Sequence, residues 1–349
     1  MEIKSTNFGF TKSGEEVTKY TLHNDNNCSV SILNYGGIIN NIMVPDKDGN
    51  IENIVLGFDT LKEYEEKSPF FGSLVGRVAG RISNASFEIE GTTYNLAPNN
   101  NGNTLHGGLK GFDKVIWNVT GIVKKDSVSL YLNYISEDGE EGFPGNLDIN
   151  VTYTFNNNNE LEIYYSGKTD KKTIVNMTNH SYFNLSGNGK RDILEQYLHI
   201  NADKYGLVDT EIIPTGIADV DGTAFDFREM KLVGSDIGND EPQLKNAGGG
   251  YDHPFMINDD GNIAASMYDK ESGRYMEVVT DQKAVVFYAC NLMKAGIKLA
   301  SNMVTKKHLA LCLETQYYPD AINQDCFDSN ILGPEDTYKA YTKYSFKIK

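Results

Sequence analysis

Residues 147–169 read LDINVTYTFNNNNELEIYYSGKT. Leu147, Ile149, Val151, Tyr153 and Phe155 alternate with Asp148, Asn150, Thr152 and Thr154. Successive side chains of a strand point to opposite faces, so this pattern sends one face into a core and the other outward, as antiparallel sheets do. The asparagine run is a turn signal, because asparagine tolerates left-handed backbone and bonds its own main chain. The same pattern recurs in TKYTLHN (18–24), CSVSILNYG (28–36), SFEIEGTTYNLA (86–97), SVSLYLNYI (127–135), YMEVVTD (275–281) and AVVFYAC (284–290). Further turn signals, such as DKDGN (46–50) and NDDGN (258–262), separate these runs. Helical stretches are few: DTLKEYEEKS (59–68) predicts two or three turns and TAFDFRE (223–229) one or two. No regular strand–helix alternation and no fixed-period repeat occurs, which argues against a doubly wound α/β fold. The pattern predicts a mainly β chain, one large antiparallel β-sandwich with few short helices. No linker divides it, so residues 1–349 are expected to form a single domain.

A second stretch, HLALCLETQYYPDAIN (308–323), raises a question of chemistry. Leu309 to Leu313 carry no polar side chain, so both faces of that strand should be buried. Glu314 follows directly, and alternation points it to the side of Ala310 and Cys312. A carboxylate at the end of a buried strand needs a reason.

The bulk numbers bound the answer. Of 349 residues, 40% are hydrophobic and 23% charged, an ordinary globular composition. The net charge of −16 argues against nucleic acid and against an anionic membrane surface as partners. No apolar run approaches ~18 residues, so no membrane-spanning segment is expected. The N-terminus lacks the charged-then-apolar layout of a signal peptide. Cys28, Cys290, Cys312 and Cys326 show neither C-x-x-C spacing nor a zinc pattern, and reduced thiols in a cytoplasm are the expectation. The sequons at Asn84 and Asn176 read as accidental in so asparagine-rich a chain.

Several polar residues sit where chemistry could use them. NTLHGGLKGFDKVIW (103–117) holds His106 before two glycines, as a turn residue or a site residue. VNMTNHSYFNLSG (175–187) surrounds His180 with hydrogen-bonding groups that can orient an imidazole. GGGYDHPFMI (248–257) offers Asp252 as a turn cap or a hydroxyl acceptor. SLVGRVAGRISNA (73–85) places Arg77 and Arg81 among apolar residues, where each needs a carboxylate or a ligand oxygen. SGNGKRD (186–192) lacks the full phosphate-loop pattern, and no metalloprotease, serine-hydrolase or dinucleotide motif is present. Scattered His, Asp, Arg and Glu among aromatic residues suit a sugar, which offers hydroxyls to polar groups and C–H faces to rings. Tyr182, Phe183, Tyr317, Tyr318 and Trp117 are available walls, most of them expected in the core.

GRVAGRI (76–82), NTLHGGLKGFDKVIW, TNHSYFNLSG (178–187), YDHPF (251–255) and LCLETQYYPDAIN (311–323), in this order, resemble the aldose 1-epimerase (galactose mutarotase) family. The resemblance extends to the closing GPEDTYKAYTKYSF (333–346). It implies the galactose mutarotase-like supersandwich and interconversion of the anomers of free hexoses, without cofactor or metal. It further implies His180 as general acid, Glu314 as general base, and Arg81, His106 and Asp252 as substrate-binding residues. The expected starting pair is ionised Glu314 with protonated His180. Two positions depart from the family pattern: Gly80 stands where many relatives have asparagine, and Val286 where many have glutamine. A glycoside hydrolase using Glu314 with an aspartate, and a sugar-binding module without turnover, are the competing readings. The small-molecule partner is a hexose, and the assembly is left open between monomer and homodimer.

Overall fold

The 147–169 pattern folds as two strands, Leu147–Asn156 and Glu160–Thr169, paired antiparallel from Leu147–Thr169 to Phe155–Leu161. Asn159 turns the chain between them with φ 57. This computed structural model describes residues 1–349 except 260 and 262, so two positions of the expected turn 258–262 lie outside the described residues.

The hairpin sits within a nine-stranded sheet. Its order is 118–123, 127–136, 147–156, 160–169, 338–348, 274–280, 265–268, 197–200 and 231–232. A six-stranded sheet runs 182–183, 311–316, 284–288, 252–256, 204–208 and 214–219. A five-stranded N-terminal meander runs in chain order from Glu2–Phe10 to Ile51–Asn53. Every register in these three sheets is antiparallel. One buried cluster joins all three: Val30 and Ile42 of the meander, Val151, Tyr153 and Ile163 of the large sheet, and Val285, Phe287, Leu311 and Leu313 of the six-stranded sheet. Phe183 and Tyr344 meet across the sheets at 5.2 Å. Alternation explains the assembly, since each sheet offers one apolar face and the faces cover each other.

The first expected helix forms as Leu61–Lys67. Thr60 caps it, accepting from the Glu63 N–H and donating to Oε2 of Glu63 at 2.8 Å, while Leu61 and Tyr64 are buried. The second does not form. Residues 223–229 run through turns, with Phe225 and Phe227 both buried. Arg228, between them and the surface, bonds Asp226 at 2.9 Å. Two core aromatics at a spacing of two cannot share one face of a helix, and the tertiary contact wins over propensity. The other α-helix among the described residues is the short segment Pro242–Asn246.

Arg77 departs from expectation too. Its guanidinium, 2% exposed, bonds neither carboxylate nor pocket. It donates to the carbonyls of Pro144 (2.8 Å), Gly145 and Ser136, to the Ser136 hydroxyl (2.6 Å) and to Thr173 Oγ1. Burial lowers its pKa to about 10, and it remains charged near neutrality. It therefore clamps the 136–145 loop to the sheet. The buried sequon residue Asn176 is also structural, exchanging hydrogen bonds with the backbone of Tyr317.

Arg77→Met keeps the length of the side chain and removes its donors, leaving several buried carbonyls unpaired. Each orphaned group costs about 1–3 kcal/mol. We expect chemical denaturation to show a loss of about 3 kcal/mol or more, and a change under about 1 kcal/mol would contradict the clamp.

Candidate active site

Glu314 lies within the strand Leu311–Gln316, every residue of which is buried. Across the neighbouring strand, Glu314 faces Val286 and Cys312 faces Tyr288; one strand further, Tyr288 faces Asp252 and Val286 faces Pro254. Residues directly opposite in an antiparallel pair point to the same side. One side of the six-stranded sheet thus carries Tyr182, Glu314, Gln316, Val286, Tyr288, Asp252 and Pro254. The other side sends Leu311, Leu313, Val285, Phe287 and Phe255 into the core. The apolar run read from the sequence is therefore a doubly covered mount, and Glu314, 3% exposed, projects from it into a pocket of about 220 Å³.

Loops form the far wall. His180 is held by its main chain, which donates from N to Ser73 O and accepts at O from Gly72 N, both at 2.9 Å. The strand Thr178–Asn179 just before it pairs with Leu74–Val75. The imidazole lies 4.9 Å from the Tyr182 ring and 6.1 Å from Phe70, nearly parallel to both. Its Nε2 stands 3.2 Å from Glu314 Oε1.

His106 enters from a tight loop with φ 53. Gly80 N donates to His106 Nδ1 at 3.2 Å, and His106 N donates to Gly80 O at 3.0 Å. An accepting Nδ1 leaves the proton of the neutral ring on Nε2, so this histidine presents a donor. The glycine after it is required: a Cβ on Gly107, at φ +89, would lie 1.9 Å from Gly76 O. Gly80 has a similar constraint, with φ +74 and a built Cβ 3.1 Å from Pro319. The glycine departure at this position therefore matches a left-handed backbone pressed against Pro319. Arg81 is part-buried and braced by Asn100 through Nε–Oδ1 at 3.1 Å.

All five residues singled out in the sequence, His180, Glu314, Arg81, His106 and Asp252, line this one pocket. Of the aromatic candidates, Tyr182 lines it, while Phe183 and Trp117 are core and Tyr317 faces a separate groove with Tyr338. Pro319 forms rim, and Asp320 supports it by accepting from Ser83 N at 3.0 Å. Phe70, Asn100, Tyr288 and Gln316 line the pocket without having been read from the sequence. Phe70 adopts φ 67 and sets its ring edge-on to His106 at 4.6 Å. Nothing in local sequence separates it from Phe71, which is core.

Burial governs the electrostatics. It pushes Glu314 well above the usual carboxylate range; Asp252 adds to this and Arg81 opposes it. It pulls His180 down to about 4 and holds His106 well below its ordinary value, in the latter case helped by the charges of His180 and Arg81. Asp252 is raised by burial against the pull of Arg81. The direction for the His180–Glu314 pair is toward imidazole and carboxylic acid, the neutral forms, rather than toward the ion pair expected from the sequence. Both arrangements hold one proton between Nε2 and Oε1, so they differ in where it sits and not in total charge.

Ligand-capable atoms of His106, His180 and Glu314 lie within 4.8 Å of one another. Two imidazoles and a carboxylate can hold a zinc-like ion, and the same set can move protons on a hemiacetal. Arg81 is the one Lys or Arg among the described lining residues, which suits an uncharged ligand better than a phosphorylated one.

The family model for aldose 1-epimerase matches residues 18–345. The galactose mutarotase of Rattus norvegicus is 40% identical over 352 residues, covering 100% of this chain and 99% of its own length. The aldose 1-epimerase of Escherichia coli K12 is 34% identical, covering 95% and 96%. The crystal structure of galactose 1-epimerase from Lactobacillus acidophilus superposes with a TM-score of 0.88 at 29% identity, covering 99% of each chain. With the family pattern spanning nearly the whole sequence and the same sandwich beneath it, the chain belongs to the aldose 1-epimerase family.

Proposed function

We propose that this aldose 1-epimerase, an isomerase, interconverts the α and β anomers of free hexoses such as galactose and glucose by acid–base ring opening at Glu314 and His180. The observation that carries the assignment of residues is the 3.2 Å approach of His180 Nε2 to Glu314 Oε1 inside the pocket. Opening a cyclic hemiacetal needs a proton placed on the ring oxygen and another removed from the C1 hydroxyl. Doing both together avoids a buildup of charge. Ionised Glu314 takes the proton from O1, C1=O1 forms, the C1–O5 bond breaks, and protonated His180 delivers its proton to O5. The aldehyde turns half a rotation about C1–C2. O5 then attacks the other face of C1, His180 recovers the O5 proton, and Glu314 returns one to O1.

Burial gives this cycle a particular balance. The neutral pair that desolvation favours is the state that accompanies the open-chain aldehyde. The ion pair accompanies the cyclic sugar. A site that raises Glu314 and lowers His180 therefore brings the open-chain complex closer in free energy to the closed one. Arg81, His106 and Asp252 grip the sugar away from C1, leaving C1 free to turn. The Nε2 donor of His106 suits a sugar oxygen, and Asp252 suits a hydroxyl.

Residues 1–349 are read as one domain, supported by one core cluster that draws on all three large sheets. No helix among the described residues is long and apolar enough to cross a membrane. A cytoplasmic site of action is supported by four free cysteines, three of them buried. The net charge of −16 supports a partner list without nucleic acid or anionic membrane, and monomer and homodimer both fit the reading.

Glu314→Gln and His180→Gln should each lower turnover of α-galactose and α-glucose by ~10²–10⁴-fold in polarimetry, with an unchanged circular dichroism spectrum. A near-parental rate in either variant removes the assignment.

The pH profile follows from the shared proton. Activity is lost as pH falls and the pair takes up a second proton, because Glu314 can no longer accept. That limb is displaced to low pH, toward about 4, by the burial of His180. Activity is lost again as pH rises and the pair gives up its last proton, and burial of Glu314 moves that limb above the ordinary carboxylate range. A kcat/KM profile with its acid limb at an ordinary histidine value near 6.5 would contradict this account.

Stability carries the complementary sign. Glu314 binds its proton more tightly folded than unfolded, so the stability it contributes is lost as pH rises from about 4.5 through its folded value. Glu314→Gln removes that loss. Its melting temperature, relative to the parent, should climb with pH across the interval, as measured by thermal denaturation in a pH series.

A further inference from the structure

The described residues include two fully buried glutamines, each 1% exposed: Gln196 and Gln316. Gln196 is satisfied at both ends, donating from Nε2 to Asn184 Oδ1 at 2.8 Å and accepting at Oε1 from Leu185 N at 3.1 Å. Gln316 is not: its Oε1 is buried without a hydrogen-bond partner. It sits two residues beyond Glu314 on the same strand and lines the same pocket. Two strand residues span ~6.8 Å, so its carboxamide lies one side-chain repeat along the pocket floor from the base. Its cross-strand neighbour is Ala284, the next residue on that face is Val286, and Pro319 closes the rim. None of these three side chains carries a polar atom, so they offer the amide nothing.

A buried carboxamide with an idle acceptor is unfavourable in the empty fold, and buried polar groups are normally paired. Gln196, outside the pocket, is paired at both ends, and of the described side-chain amides with an unpartnered buried oxygen (Gln316, Asn291 and Asn330) Gln316 is the one that lines the pocket. We propose that Gln316 is a sugar-binding residue, its carboxamide hydrogen-bonding a ring hydroxyl remote from O1 and so contributing to which hexose is held. A carboxamide offers both an acceptor and donors, which matches a hydroxyl group. Because it touches the sugar away from C1, its hydrogen bond is present in the cyclic, open-chain and reclosed forms. Such uniform binding acts on KM rather than on kcat. This inference rests on the reading of Glu314 as the base, which fixes the position of O1.

The test is steady-state mutarotation by Gln316→Met and Gln316→Leu on α-galactose, α-glucose and their monodeoxy derivatives, with Glu314→Gln measured alongside. The expected result is a fall in kcat/KM of roughly 3–10-fold, the effect of one neutral hydrogen bond, carried by KM. One deoxy position should cost the parent enzyme but not the Gln316 variants. Thermal denaturation should show equal or higher melting temperatures, because the amide has no partner in the fold to lose. An unmoved KM in both variants, together with a Glu314→Gln enzyme that has lost turnover, overturns the role of Gln316 alone. Lower melting temperatures in both variants overturn it in favour of a structural glutamine. Full turnover by Glu314→Gln overturns the site reading beneath it.

Discussion

One close approach organises the site: His180 Nε2 stands 3.2 Å from Glu314 Oε1, with both groups almost wholly buried. Two buried titratable groups cannot both carry charge freely, and neither can be placed loosely. Their distance decides whether a proton can move between sugar oxygens and protein in one event. Burial sets the energy of each proton position, by penalising every arrangement that separates charge. A sandwich core is a suitable mount for such a pair, since close-packed interiors hold side chains in single rotamers.

The six-stranded sheet meets this requirement by using its two sides differently. Alternate residues of the strand Leu311–Gln316 anchor in the core through Leu311 and Leu313, while Glu314 and Gln316 face the pocket. The same division runs through 284–288 and 252–256, so a floor of functional side chains stands on a row of core side chains. The opposite wall has no such sheet behind its reactive groups. It is fixed instead by main-chain hydrogen bonds, Gly72 and Ser73 to His180 and Gly80 to His106. The 72–81 segment thus holds both histidines, and its glycines let it pack closely: a Cβ on Gly72 would meet the Ile39 carbonyl, one on Gly76 the Phe112 ring and one on Gly80 the Pro319 ring.

Much of this was legible in the sequence, for a physical reason. Strand alternation is local, so the pairing of 147–156 with 160–169 and the double burial around Glu314 could be read from neighbours in the chain. The convergence of His106, His180, Asp252 and Glu314 is not local, and the family resemblance supplied it. Where neither helped, the reading failed in informative ways. Phe225 and Phe227 looked helical by composition, but both are buried at a spacing only non-helical backbone allows. Arg77 and Arg81 stood in equivalent surroundings, yet one clamps carbonyls and the other lines the pocket. Phe70 and Phe71 are adjacent and identical, and only the left-handed backbone of Phe70 turns its ring toward the histidines.

Burial alone does not mark a polar group as part of the pocket, as two structural side chains show. Arg274 is as buried as Arg77, and it donates to the carbonyls of Pro45, Leu185 and Asn50 and to Glu52. Gln196 is closed at both ends. These groups have spent their hydrogen-bonding capacity inside the fold and have little left for a ligand. In the pocket, Gln316 Oε1 and His180 Nδ1 have no partner, and His180 Nε2 stands 3.2 Å from Glu314 Oε1. A buried polar group left without a partner is destabilising, and a ligand that completes it gains that hydrogen bond. A hexose, with a hydroxyl on nearly every carbon, can complete several such groups at once, and that matches a pocket built with few charges and unmet hydrogen bonds.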